Sequence, residues 1–163
     1  MSLARMGDLA GFRIVGSFGF AMQDAQYGEI ARRFPPDPRP ARPIDRRAKP
    51  SHGYRALHAA VSFDGVNIEI QIRTLLQHIW ADLMERLADR LGRQIRYGGQ
   101  PTPPPGMSQD QADVIVIGMM RMSTGFASRE TDRPSAEAFD VNAITEEAWS
   151  GLQEVLRDAG VDL

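Results

Sequence analysis

The sequence predicts an α/β fold of the α+β kind, with a mixed, mainly antiparallel sheet flanked by helices and a helical C-terminal extension. A hairpin pattern at residues 56–73 predicts the sheet, and an amphipathic helical pattern follows it directly at 75–91. Further helical segments follow residue 107. With 163 residues, of which 42% are hydrophobic and 25% charged, the chain is long enough to bury one core of ordinary size.

The composition narrows the chemistry that the protein can perform. The chain has no cysteine and only three histidines, which argues against disulfides, thiolate catalysis and a histidine-rich zinc site. Any metal is therefore expected on carboxylates, as Mg²⁺ or Mn²⁺. No stretch approaches the roughly 20 apolar residues of a membrane helix, and the N-terminus lacks the apolar region of a signal peptide. We expect a cytoplasmic protein with no membrane partner.

The hairpin is defined by its turn and by its alternating pattern. Segments 56–63 and 66–73 flank Asp64-Gly65, a dipeptide that favours a two-residue type I′ turn. This turn sets the register of the two strands. The predicted pairs on the apolar face are Phe63 with Val66, Val61 with Ile68, Ala59 with Ile70 and Leu57 with Ile72. On the other face, the register pairs Ala60 with Glu69 and His58 with Gln71.

The polar side of the second hairpin strand carries Asn67, Glu69, Gln71 and Arg73. Alternation allows two interpretations of this row. It is either a face turned to water, as antiparallel sheets often have, or the floor of a pocket. Glu69 lies opposite an alanine, which leaves space above its carboxylate. Periodicity by itself does not decide between the two interpretations.

Other segments predict the elements around the hairpin. Residues 12–20 predict a first strand, and residues 24–34 predict a helix. Thr74 is expected to cap the helix at 75–91, which ends before Gly92 and is expected to cover the apolar face of the sheet.

The C-terminal third of the chain predicts helices beyond a linker. Ser108 with Gln111 has the pattern of a capping box at the start of a helix, and residues 145–160 predict a last amphipathic helix. We therefore divide the chain into a domain at 1–99, a proline-rich linker at 100–107 and a helical extension at 108–163.

Charge is concentrated in one segment. Residues 31–49 contain seven arginine or lysine side chains and two aspartates, so this basic arm carries a net +5 while the remainder carries −7. Five prolines prevent the arm from forming a helix. The arm is either a stiff solvated loop or a surface for an anionic ligand such as a nucleotide, because arginine matches phosphate oxygens.

Four motifs in order resemble the synthetase domain of the RelA/SpoT family, which makes the alarmones ppGpp and pppGpp. They are "DLAGFRIV" at 8–15, "DRRAKPSHGYRALH" at 45–58, "EIQIRT" at 69–74 and "LLQHIWADL" at 75–83. The resemblance covers residues 8–99 and implies a nucleotidyltransferase-like synthetase fold. It also implies a GTP pyrophosphokinase activity, in which a pyrophosphate passes from ATP to the 3′-hydroxyl of GDP or GTP.

The resemblance also implies roles for particular residues. Glu69 would be the catalytic carboxylate or help to hold the metal, Asp8 would be the principal Mg²⁺ ligand, and Tyr54 would stack on guanine. The other residues implied in nucleotide binding are Arg46, Arg47, Lys49, His52, His58, Gln71 and Arg73. Position 52 departs from the family, since many members have asparagine there.

The resemblance leaves the activity of the chain open. Asp8 has only seven residues before it, whereas the family carries ATP-binding arginine, lysine and serine residues upstream of this aspartate. We therefore expect this chain to lack the ATP-binding part. Three hypotheses follow: an alarmone synthetase homologue, a toxin-like enzyme that pyrophosphorylates tRNA, and a non-catalytic nucleotide-binding regulator. The sequence leaves the acceptor and homo-oligomerisation undecided.

Overall fold

The computed structural model describes residues 10–34, 36 and 39–131. The elements in chain order are strand β1 (Ala10–Gly16), helix α1 (Phe20–Arg33), strands β2 (Arg42–Asp45), β3 (Leu57–Phe63) and β4 (Val66–Thr74), helix α2 (Leu75–Leu91), a 3₁₀ helix (Arg93–Tyr97) and helix α3 (Gln109–Thr131). This is the mixed α+β architecture that the sequence predicts.

The four strands form one mixed sheet in the order β1-β4-β3-β2. Strand β1 runs parallel to β4, whereas β3 is antiparallel to both β4 and β2. The predicted hairpin register is confirmed at every pair, including Ala60 with Glu69 and His58 with Gln71. Asp64 and Gly65 have φ values of 51° and 73°, the positive values that a type I′ turn requires at both positions.

Two of the early predictions need correction. Strand β1 ends at Gly16 rather than residue 20, and α1 begins at Phe20 rather than residue 24. The basic arm is also more than a loop, because its residues 42–45 form β2 at the edge of the sheet. A proline is tolerated there, since an edge strand has one side without ladder hydrogen bonds.

The described part of the chain has two apolar cores rather than one. The apolar face of β3 and β4 packs against α1, with Ile30 and Ile72 among its buried residues. Helix α2 instead packs with the 3₁₀ helix and α3, burying Trp80, Leu87 and Ile115. The expectation that α2 covers the apolar face of the sheet is therefore wrong. That face is occupied by α1, which leaves α2 beside the polar face.

The two predicted capping sites, Thr74 and Ser108, are confirmed by their hydrogen bonds. The Thr74 hydroxyl accepts a hydrogen bond from the Gln77 backbone, and the Gln77 side chain accepts one from the Thr74 backbone. Ser108 and Gln111 make the same reciprocal pair before α3. The helix predicted at 145–160 lies outside the described residues.

The proline-rich segment at 100–107 contains neither helix nor strand, and the division of the chain at this segment stays a prediction. Helix α3 nevertheless shares a core with α2, so the two sides of the linker are packed together. None of the helices in the described ranges combines the length and the apolar character needed to cross a membrane.

Candidate functional site

A cleft of about 490 Å³ lies over the polar face of β3 and β4. Helix α2 and the 3₁₀ helix form its other wall, with Trp80 and Met84 on the former and Arg96 and Tyr97 on the latter. Six of the ten residues implied by the family resemblance line this cleft: His52, Tyr54, His58, Glu69, Gln71 and Arg73. The polar row is therefore the floor of a cleft along most of its length rather than an ordinary solvated face.

Five of these side chains form a closed ring of polar contacts. His58 lies between two of them, with Nδ1 3.1 Å from Glu69 Oε1 and Nε2 2.9 Å from the Tyr54 hydroxyl. Arg73 Nη2 lies 3.1 Å from that hydroxyl and 2.9 Å from Gln71 Oε1. Gln71 Nε2 closes the ring with a long contact of 3.5 Å to Glu69 Oε1. The ring joins two strands and the segment before β3, so it forms only when the hairpin has its native register.

The directions of the hydrogen bonds around His58 follow from Arg73. A guanidinium can only donate, so the Tyr54 oxygen accepts from Arg73 and its O–H is left to donate to His58 Nε2. The proton of a neutral His58 must then be on Nδ1, where it donates to Glu69. Burial lowers the pKa of His58, the Glu69 carboxylate opposes that shift, and Arg73 and Arg46 reinforce it. His58 is thus held neutral at physiological pH and orients the Glu69 carboxylate.

Arg73 places a buried positive charge in the cleft floor. Its side chain is only 4% exposed, and its guanidinium lies 5.1 Å from the centre of the Tyr54 ring. Two of its nitrogens, Nε and Nη1, have no hydrogen-bond partner, and no carboxylate of the described residues forms an ion pair with it. A buried cation without a counter-ion is unfavourable by several kcal/mol. An anion bound in the cleft would offset that cost.

The space above Glu69 results from two small neighbours in the sheet. Ala60 of β3 pairs with Glu69 on one side, as predicted, and Gly11 of β1 pairs with it on the other. A side chain at Gly11 would meet little, because the nearest atom to an added Cβ is 4.0 Å away. Among the described residues, Glu69 Oε2 has no hydrogen-bond partner, so it is available to a ligand.

Arg47, another predicted nucleotide-binding residue, is not among the residues that line the cleft. The guanidinium of Arg47 pairs with Asp24 at 2.6 Å and with Asp45 at 2.7 Å, and it lies over the Phe20 ring at 5.3 Å. These contacts raise the pKa of Arg47 against the effect of its burial and lower that of Asp45. The structure therefore places Arg47 in a contact between β2 and α1, and the prediction that it binds nucleotide gains no support.

Arg46 and Lys49 are both exposed. Arg46 is close enough to His58 to lower the pKa of that imidazole, which places its charge near the cleft. Asp8, the predicted metal ligand, lies outside the described residues. The predictions for these three positions are therefore not tested by the geometry.

Sequence reasoning missed several residues that line the cleft. Arg13 belongs to β1 and pairs with Gln71, so it stands in the same row as the polar residues of β4. Parallel pairing between β1 and β4 would have revealed it, but the sequence contains no turn that sets this register. Arg96 and Tyr97 carry no motif, and only the packing of the 3₁₀ helix against α2 brings them to the cleft.

The described part of the cleft offers few donor atoms for the expected metal. The described residues contain no group of three or more histidine, aspartate or glutamate side chains that could hold a metal. Mg²⁺ typically takes one or two protein carboxylates together with substrate phosphate oxygens. Glu69, whose Oε2 has no partner among the described residues, fits the role of one such carboxylate. Asp8, the second ligand implied by the family resemblance, lies outside the described residues.

The fold and the cleft define a class of protein with a polar ligand site on an α+β sheet, and comparison with known sequences specifies the family. The family described as "Region found in RelA / SpoT proteins" matches residues 2–88, more than half of the chain. The chain belongs to the RelA/SpoT family, and this confirms the resemblance carried by the four motifs.

Similar chains occur in mycobacteria. "Uncharacterized" proteins of Mycobacterium bovis and Mycobacterium tuberculosis are 37% identical to it over 133 residues, 81% of this chain and 48% of each relative. The chain thus spans about half the length of the curated relatives it matches. The crystal structure of the small alarmone synthetase 1 from Bacillus subtilis is also similar, with a TM-score of 0.46 and 24% identity over 91% of this chain and 66% of that one.

Proposed function

We propose that the cleft binds the guanine nucleotide that accepts pyrophosphate in alarmone synthesis, GDP or GTP. Within that proposal, Glu69 receives the proton of the ribose 3′-hydroxyl. The 3′ oxygen then bonds to the β-phosphorus of ATP, the bond between that phosphorus and the oxygen bridging to the α-phosphorus breaks, and AMP leaves. The observation that carries the proposal is the Glu69 carboxylate held by neutral His58 beside the buried Arg73.

The charges and rings of the cleft support a nucleotide as the ligand. Arg73 and the nearby Arg46 supply positive charge for phosphate oxygens, and Arg13 adds a third guanidinium at the edge of the row. Tyr54 lines the same cleft with one face of its ring covered by Arg73, so a guanine base would have to stack on the opposite face. The proposal thus places the base against the exposed face of the Tyr54 ring and the phosphates beside the arginines.

The Glu69 geometry supports proton transfer in particular. A general base works best when it is held rigidly within hydrogen-bond reach of the proton it accepts. Glu69 stands on the central part of β4, is oriented through Oε1 and keeps Oε2 without a partner among the described residues. Mg²⁺ fits the proposal as an ion held by Glu69, by Asp8 and by substrate phosphates, where it would neutralise charge on the transferred group.

The decisive variant is Glu69→Gln, which keeps the size of the side chain and removes its basicity. We expect GTP affinity, measured by calorimetry, to change by less than about 0.5 kcal/mol. Transfer from radiolabelled ATP is measured in a form of the protein that has a complete ATP site. There it should fall by about 100-fold or more, the effect of losing a general base. Glu29→Gln on the exposed surface of α1 is the matched control. Equal transfer rates for Glu69→Gln and the wild-type protein would remove Glu69 from the chemistry.

The same assay separates the alternatives when GDP, GTP and tRNA are offered in turn. A labelled nucleotide product supports the alarmone synthetase, and a labelled tRNA supports the toxin-like enzyme. In the latter case tRNA binding should weaken steeply with salt, because the basic arm would then contact an RNA backbone. GTP binding without any transfer would indicate the non-catalytic regulator.

A further inference from the structure

The turn that carries Tyr54 has an unusual backbone. Residues Ser51 and Tyr54 exchange two backbone hydrogen bonds, of 3.2 and 3.0 Å, across the intervening His52 and Gly53. His52 has a φ of 50° and Gly53 a φ of 83°, both in the left-handed region. A histidine with positive φ is uncommon, although this pair of values is the one that a two-residue type I′ turn requires. Residues of other elements also contact the turn.

Helix α3 supplies the contact behind this turn. The hydroxyl of Ser123, a residue only 3% exposed, donates to the backbone carbonyl of Gly53 and accepts a hydrogen bond of 3.1 Å from Arg55 Nε. Arg55 also donates to the carbonyl of Arg47. The hydroxyl of Ser123 thus contacts both the turn, at Gly53, and the residue that follows Tyr54, Arg55. Through Arg55 the contact extends to Arg47, which precedes the turn.

Packing reinforces the same contact. A Cβ at Gly53 would lie 2.6 Å from the Trp80 ring and 2.7 Å from the Met120 sulfur, so the turn is pressed between α2 and α3. The indole of Trp80 donates a hydrogen bond of 2.7 Å to the carbonyl of Met119, which joins the two helices at this level. Helix α3 lies beyond the residues 2–88 that match the family.

We propose that α3 is a positioning element of the cleft and that Ser123 acts as its positioning residue. By holding the Gly53 carbonyl, Ser123 fixes the turn that places the Tyr54 hydroxyl between His58 and Arg73. The effect on ligand affinity rests on the proposed function, since it requires Tyr54 to contact the bound guanine nucleotide. The effect on the turn itself does not require a ligand.

The first experiment measures amide hydrogen exchange in the ligand-free protein. Ser123→Ala leaves the buried Gly53 carbonyl without its donor, and we expect the Tyr54 amide to exchange about tenfold faster. The amides of β3 and β4 should keep their wild-type rates. Ser128→Ala, a serine on the exposed side of the same helix whose hydroxyl donates only to the Thr124 carbonyl, is the matched control and should change neither set.

A conservative variant guards against general damage. A small cavity of about 10 Å³, roughly one water-sized sphere, borders Ser123. It gives space for the extra methyl group of Ser123→Thr, which keeps the hydroxyl and should restore slow exchange at Tyr54. Equal acceleration over the whole protein in Ser123→Ala, or no acceleration at Tyr54, would overturn the positioning role.

The second experiment is a double-mutant cycle on GTP affinity. We expect Ser123→Ala to weaken binding by about tenfold in the wild-type background and by less than about twofold in a Tyr54→Ala background, because coupled residues are non-additive. Additive effects would show that Ser123 does not act through Tyr54 and would contradict the proposal. A Tyr54→Ala variant with wild-type affinity would instead refute the guanine-stacking role, and the exchange experiment would still decide the role of Ser123.

Discussion

The buried carboxyl of Glu130 should make the stability of this protein fall as pH rises. Glu130 lies near the end of α3, is 1% exposed, and accepts hydrogen bonds from the Thr74 hydroxyl and the Gln77 side chain at the start of α2. Its burial raises the pKa from 4.5 to about 7, although the hydrogen bonds from Thr74 and Gln77 and the charge of Arg55 oppose that shift. Desolvation of the carboxylate is the dominant effect.

The sign follows from proton binding in the two states. The folded protein holds the Glu130 proton more tightly than the unfolded chain does, so the folded state is favoured while the carboxyl is protonated. This contribution is complete below the unfolded pKa and is lost as pH rises through the folded pKa of about 7. With about 1.4 kcal/mol for each pKa unit, the loss between about pH 5 and about pH 8 amounts to roughly 2 to 3 kcal/mol.

The test compares Glu130→Gln with the wild-type protein by urea unfolding at both pH values. The amide of the variant cannot ionise, so its stability lacks this pH dependence. The free energy of unfolding of the variant minus that of the wild type should therefore be about 2 to 3 kcal/mol larger at the higher pH than at the lower one. The lowered pKa of His58 acts in both proteins and cancels in this difference. If the difference between variant and wild type stayed constant with pH, Glu130 would not be the buried group described here.

Substitutions at Tyr54 and Arg47 test two residues that the family resemblance implied in nucleotide binding, of which the structure places only Tyr54 in the cleft. Tyr54→Ala should weaken GTP binding by about 1 to 3 kcal/mol, the scale of one aromatic stack on a base. Tyr54→Phe should keep most of that affinity and lose only the hydroxyl contacts with His58 and Arg73. Calorimetry with both variants separates the role of the ring from that of the hydroxyl, and equal losses would contradict stacking. Arg47→Ala should lower the free energy of unfolding by about 1 kcal/mol, because the contacts with Asp24 and Asp45 are lost. Its GTP affinity should be unchanged, and a loss of affinity would show that Arg47 belongs to the binding site.

Much of the cleft floor could be predicted from the sequence because it depends on local rules. The Asp64-Gly65 turn sets the register of the hairpin, and the two-residue repeat of β4 then places Glu69 and Gln71 on one face beside His58. The capping box at Thr74 likewise begins α2 at the predicted residue. These features involve neighbours in sequence or a single tight turn, so few alternative arrangements compete with them.

Other features were beyond the sequence because their partners are distant along the chain. The basic arm contains seven cations, yet Arg47 pairs with Asp24, 23 residues earlier, once α1 packs against the sheet. Because α1 packs on the apolar face of the sheet, α2 forms the second core with α3 and the 3₁₀ helix, and α2 becomes a wall of the cleft.

The amino-acid sequence by itself determined the hairpin, its register, the polar row of β4 and the membership of the RelA/SpoT family. Only the tertiary structure decided that Arg73 is buried with no carboxylate of the described residues beside it, that Tyr54 closes the ring to His58, and that Ser123 reaches Gly53 from 70 residues away. The physical reason is that turn chemistry and periodicity act between neighbouring residues. The environment of a charge or of a turn is set by the elements that pack against it, and those elements come together only when the whole chain has folded.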